Sequence, residues 1–150
     1  MEKVFFSHNE QETAELAAKL AKISKIGDVW ALKGTLGVGK SVLARAFIQT
    51  LCAAKEVPSP TFTLVQTYNT PDFDIFHYDL YRLKDPMEIF ELGVEEAFYS
   101  GVNLVEWPEK MGSFAPRDMW IVEIKPQEDT RVIKIIAPTE EKNARLSNLC

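Results

Sequence analysis

The chain of 150 residues, 46% hydrophobic and 26% charged, fits one domain spanning 1–150 that buries roughly 68–70% of its unfolded surface. No apolar run approaches the ~18 residues of a membrane span, and residues 1–7 lack the apolar stretch of a secretory leader, so a cytoplasmic protein without membrane contact is expected. A net charge of −5 argues against a chain that grips nucleic acid alone, which calls for a basic face; it leaves open a role on nucleic acid through a basic partner.

Val4, Phe5 and Phe6 read as a first strand. Ser7 reads as an N-cap, with Glu10 completing a capping box, for a helix over residues 8–24. Leu16, Ala17, Leu20, Ala21 and Ile23 form its buried stripe. His8 reads as a solvated surface histidine. Gly27 ends this unit, and residues 29–33 read as a short buried strand. GTLGVGKS follows at 34–41, then an amphipathic stretch, 41–51, that reads as a helix. Strand, glycine loop and helix in that order are the context of the phosphate-binding pattern GxxxxGKS.

The chemistry explains the residue types. Gly34, Gly37 and Gly39 let the backbone fold around a phosphate chain and tolerate positive φ. The amides of Thr35, Leu36, Gly37, Val38, Gly39, Lys40, Ser41 and Val42 are then expected to form an anion nest. The helix start near Lys40 adds its positive dipole end. Lys40 is expected to reach the β- and γ-phosphates, and the Ser41 hydroxyl to ligate Mg²⁺.

Residues 57–68 contain two prolines and cannot be helical. Residues 61–68 and 73–80 are expected to form an antiparallel hairpin around a turn at 69–72. Strand alternation puts Ile75, His77, Asp79 and Tyr81 on one face, and Phe76, Tyr78 and Leu80 on the other. Asp85 caps a short helix beginning with Pro86, stopped by Gly93. A second, from Val94, is stopped by Gly101. Residues 102–106 form an apolar run ending in Glu106, and Pro108 prevents its continuation. Residues 119–125 and 131–137 read as two strands joined by a polar loop. Thr139 caps a final helix ending near Ser147. The two cysteines, Cys52 and Cys150, have no metal-ligand spacing and suit a reducing compartment. The order is mixed α/β around a central sheet.

A Mg²⁺–phosphate site needs a carboxylate at the carboxyl end of a strand near the loop strand. Asp79 and Glu106 are the two candidates. Asp79, on a hairpin strand expected beside the loop strand, is assigned the metal through water. Glu106 is assigned to orienting the attacking water. Thr61 sits where nucleotide switches place a threonine that reports the γ-phosphate. His77 either holds a water or phosphate oxygen or packs as a core histidine. Arg82 either neutralises phosphate charge or forms an ordinary ion pair. Trp107 either stacks near the nucleotide or packs in the core. Neither an NKxD box nor a DxxG switch is present, so ATP is favoured over GTP.

The ordered set GTLGVGKS at 34–41, SPTF at 59–62, HYDLYRL at 77–83, ELGVEE at 91–96 and LVEWPEK at 104–110 resembles the TsaE family, bacterial P-loop ATPases of tRNA threonylcarbamoyladenosine biosynthesis. The phosphate loop alone is shared by many families, whereas the SPTF, HxDLYRL and LVEWPE order is specific to this one. The resemblance covers residues 6–137. It implies a P-loop NTPase-like fold, with a mostly parallel central sheet flanked by helices and an antiparallel switch-like hairpin. It implies binding of ATP and Mg²⁺, with slow hydrolysis by the chain alone. It also implies partners, TsaD and TsaB, that hold the tRNA-modifying site and are reset by the ATPase between turnovers. Lys40 and Ser41 match the family's loop, with serine where threonine is common, which keeps the hydroxyl. Thr61 matches the switch-like threonine, Asp79 the metal-linked aspartate, Glu106 the catalytic-region glutamate and Trp107 the tryptophan beside it. Thr35 stands where many members have an acidic residue. The acidic balance fits partners, rather than this chain, holding the tRNA. Two other expectations stay open: a small-molecule kinase, and a nucleotide-binding scaffold without chemistry.

Overall fold

A computed structural model describes residues 1–35, 37–52, 56–58, 60 and 63–149. Seven strands form one mixed sheet: β1 (Glu2–Ser7), β2 (Val29–Lys33), β3 (Val65–Asn69), β4 (Asp74–Asp79), β5 (Val102–Glu106), β6 (Trp120–Gln127) and β7 (Thr130–Ile136). Their spatial order is β1-β7-β6-β2-β5-β4-β3. The central four, β6, β2, β5 and β4, run parallel. Antiparallel pairings close both sides, β6–β7 and β7–β1 on one, β4–β3 on the other.

The central strands need cover on both faces, and β2 and β5 are accordingly apolar runs rather than alternating ones. On one face lie α1 (Glu10–Lys22), α2 (Lys40–Leu51) and α4 (Glu140–Ser147). Leu16, Leu20, Leu43, Phe47 and Leu146 from these helices pack on Trp30, Leu104, Val122 and Ile135 of the sheet. Trp30 stacks on Trp120 across the β2–β6 pair at 4.4 Å between ring centroids. The other face is covered by α3 (Val94–Ser100) and by two 3₁₀ segments, Pro86–Leu92 and Pro108–Phe114, the second broken at Gly112. These seat Ile89, Val94, Ala97 and Met111 against Tyr78 and Val105.

Three sequence expectations shift. The cap of α1 is Asn9 rather than Ser7: the Asn9 side chain accepts the Glu12 N–H at 2.8 Å. Ser7 instead ends β1, paired with Arg131. Its buried hydroxyl lies 2.6 Å from that of Thr13, which draws Ser7 into the sheet and starts the helix two residues later. His8 therefore precedes the helix, exposed and 2.8 Å from the Glu12 carboxylate. The hairpin strand β3 begins at Val65 and leaves out Thr63 and Leu64, because Leu64 takes a left-handed φ of 68°; the expected start at residue 61 lies outside the described residues. Finally, β4 does not adjoin the loop strand β2, since β5 lies between them.

Candidate nucleotide site

Ligands of open α/β sheets bind beyond the carboxyl ends of the parallel strands, and the candidate residues gather there. The loop leaves β2 at Gly34. A Cβ on Gly34 would lie 2.7 Å from Val38 Cγ1 and 2.8 Å from the Ile124 carbonyl oxygen, so only glycine fits. Gly37 and Gly39 take φ values of 77° and 118°. Gly39 caps α2 without a side-chain hydrogen bond, which leaves an amide-rich helix start suited to an anion. The Val38 N–H bonds the Thr35 carbonyl at 3.3 Å. Ser41 is exposed in the first turn of α2, with Val42 half-buried beside it.

Lys40 is 5% exposed. Its ammonium donates to the Gly34 carbonyl at 2.7 Å and sits 3.9 Å from the Trp107 ring centroid. Burial holds this ammonium below the usual lysine range, against the opposing pull of Glu106, Asp79 and Glu109.

Glu106 pairs in register with Leu32 of β2 on one side and with Asp79 of β4 on the other. Both carboxylates are buried. Asp79 Oδ1 accepts the Tyr81 N–H at 3.1 Å. His77 Nε2 lies 2.8 Å from Glu106 Oε2. An ionised carboxylate only accepts, so the imidazole proton belongs on Nε2. His77 Nδ1 is buried with no hydrogen-bond partner among the described residues. His77 is thus neither a surface group nor a purely apolar packing element. Trp107 adopts φ 58° directly after β5 and is half-buried, its ring 5.0 Å from Tyr81. Arg82 is exposed on the segment after β4.

Lys40, Asp79, Glu106 and Trp107 therefore come together, with Ser41 at the first turn of the adjoining helix. Leu36 and Thr61 lie outside the described residues. Among the described residues, no cluster of three or more His, Cys, Asp or Glu forms a closed metal cage. Two carboxylates and a hydroxyl are hard oxygen donors. They suit Mg²⁺, which keeps several waters and takes phosphate oxygens as further ligands.

The sequence did not single out Arg131. From β7 its Nε donates to the Val38 carbonyl at 3.1 Å, tying the glycine loop to a strand 93 residues away. A cavity of about 260 Å³ opens between the loop and the start of α1, lined by Ser7, Asn9, Gly37, Val42 and Arg131 among others. No local pattern links those positions. Only the order β1-β7-β6-β2 brings them together.

Sheet order, glycine loop and clustered charges define a P-loop NTPase-like α/β protein. The profile of the family described as Threonylcarbamoyl adenosine biosynthesis protein TsaE matches residues 7–133. The chain belongs to the TsaE family. It is 38% identical over 143 residues to the tRNA threonylcarbamoyladenosine biosynthesis protein TsaE of Rickettsia conorii, covering 95% of this chain and 82% of that one. Identity to the protein of the same name from Rickettsia felis is 50% over 103 residues, 68% of this chain and 60% of the relative. The crystal structure of Bacillus subtilis YdiB superposes with a TM-score of 0.85 at 28% identity, covering 99% of this chain and 94% of that one.

Proposed function

We propose that this chain is an ATP-binding, slowly ATP-hydrolysing module required for forming the threonylcarbamoyl group on tRNA adenosine next to the anticodon. It acts by nucleotide-dependent docking to TsaD and TsaB homologues in the cytoplasm, and tRNA is met only through that complex. The observation that carries the proposal is the Lys40 ammonium, buried between the Gly34 carbonyl and the Trp107 ring, with Glu106 and Asp79 in register beside it. A buried lysine that, among the described residues, meets a carbonyl and a ring face is poised to exchange them for phosphate oxygens.

In this proposal the amides of residues 35–42 cradle the phosphates, and the cavity between loop and α1 takes the nucleoside. Ser41, Asp79 and Glu106 would hold Mg²⁺, which when bound would supply charge neutralisation for the phosphates. Glu106 orients the attacking water, and His77 fixes the Glu106 carboxylate through the 2.8 Å bond. Lys40 stabilises charge on the transferred phosphoryl group. Thr61 is assigned the γ-phosphate contact from its place in the sequence alone. Low turnover by the isolated chain follows if a partner must order the site or supply a missing charge.

Calorimetric titration of ATP with Mg²⁺ should give a saturable heat that Lys40→Ala abolishes. Glu106→Gln should keep binding and lose turnover. Adding TsaD and TsaB should raise turnover of the native chain. A native chain that is silent to ATP would end the proposal. Intact tRNA modification in cells carrying Glu106→Ala, with loss in cells carrying Lys40→Ala, would reduce the chain to a scaffold, and transfer of phosphate to an added metabolite would make it a kinase.

A further inference from the structure

The two carboxylate-bearing strands each run into one half of a single exposed platform. From Asp79 the chain passes through Tyr81 to the 3₁₀ segment Pro86–Leu92, and from Glu106 it passes through Trp107 to the segment Pro108–Phe114. The two segments pack on each other: a Cβ on Gly112 would lie 3.4 Å from Pro86 Cγ, and Phe90 meets Phe114 edge to face at 5.0 Å.

Three residues make one turn of a 3₁₀ helix, so Met87 and Phe90 lie on one face while Ile89 is buried. That face is apolar yet open to solvent, with Met87 63%, Phe90 40% and Phe114 41% exposed. Met and aromatic side chains are the types enriched at the centres of protein interfaces, and an exposed apolar patch with a polar rim marks such a site.

The rim has one dominant sign. The two segments and the Asp85 cap carry four carboxylates, Asp85, Glu88, Glu91 and Glu109, and one lysine, Lys110. Asp85, Glu91 and Glu109 are exposed among them. Like charges facing each other across an interface are unfavourable, so two copies of this acidic face repel, and the surface suits a different partner.

We infer that the Met87–Phe90–Phe114 face is the docking surface for a partner protein whose contact area is apolar at its centre and rimmed by lysine and arginine. The inference rests on the nucleotide-dependent docking proposed above and names the surface that does it. The chain segments joining it to Asp79 and Glu106 are short, so the nucleotide site and the docking face share the same two strand ends.

The test uses the full chain with saturating Mg-ATP and the TsaD–TsaB pair as probe, measured by biolayer interferometry over a salt series. Met87→Glu should weaken binding at least tenfold, and Glu91→Lys should weaken it and flatten its salt dependence. ATP affinity of both isolated variants should stay native. Because Met87 and Glu91 are exposed, neither change threatens the fold, and circular dichroism checks this. Native binding of both variants overturns the surface assignment while leaving the docking function intact. A native chain that does not bind the pair overturns the docking function and the surface with it. Self-association of the native chain that Met87→Glu abolishes, seen by sedimentation, would reassign the face to a second copy and overturn the inference.

Discussion

His77 and Glu106 meet in a buried hydrogen bond, Nε2 to Oε2 at 2.8 Å, across the β4–β5 pair, with β5 directly beside the glycine-loop strand β2. His77→Leu keeps the bulk but removes the donor. It should destabilise the fold by ~1–3 kcal/mol, read from urea unfolding. His77→Gln retains a donor and should recover part of that loss. In the proposed ATPase, His77→Leu should lower kcat far more than it changes ATP affinity. Equal losses in both would make His77 a packing residue only.

Gly34 and Gly39 separate crowding from strain. Gly34 lacks room for a methyl group, whereas nothing lies within 4 Å of a Cβ on Gly39. Gly39→Ala should therefore cost only the left-handed backbone strain, about 1–3 kcal/mol. Gly34→Ala must also push back Val38 and the β6 backbone and should cost more. Thermal unfolding of the pair decides this, and a less stable Gly39→Ala variant would contradict the crowding argument.

Arg145 holds buried Asp28 at the end of the sheet opposite the site, with bonds of 2.6 and 2.9 Å, and donates to the Ile23 carbonyl at 2.8 Å. Burial would lower this guanidinium, but the Asp28 and Glu141 carboxylates hold it above its ordinary range. Arg145→Ala strands a carboxylate whose remaining donor is the Lys25 N–H, and should destabilise by ~3 kcal/mol. ATP affinity of the folded fraction should be unchanged. A shift in affinity would mean that the two ends of the sheet are coupled.

Tyr78 gives the fold an alkaline limit. Burial pushes its phenol up to about 12 from an ordinary 10.0. The unfolded chain then loses this proton before the folded one does. The stabilisation is fully present below pH 10 and is lost between pH 10 and 12, at up to ~1.4 kcal/mol per pH unit. Unfolding free energies at pH 9 and 11 should fall further for the native chain than for Tyr78→Phe. An identical drop in both would show that the phenol is not the group responsible.

The strand–glycine–helix unit was legible because its parts are adjacent in sequence and each obeys a local rule. The caps at Asp85 and Thr139 were legible for the same reason: both side chains accept the expected amides. Glu106 was legible as the end of an apolar run stopped by proline. Placing β5 between β2 and β4 was not, because strand order depends on crossover connections rather than on any local pattern. The Arg131 bond to Val38 depends on that order and was hidden with it. The α1 cap moved because a buried hydroxyl pair, Ser7 with Thr13, outweighed a capping box that looked adequate locally.

The indole of Trp107 carries the Lys40 ammonium on its face, while Trp30 and Trp120, the remaining two tryptophans, are fully buried against each other. A cation over an indole perturbs its emission, so an anion that draws Lys40 away should alter the light from one residue and leave the other pair unchanged. The chain thus carries an optical gauge of its lysine's position, readable without any added label.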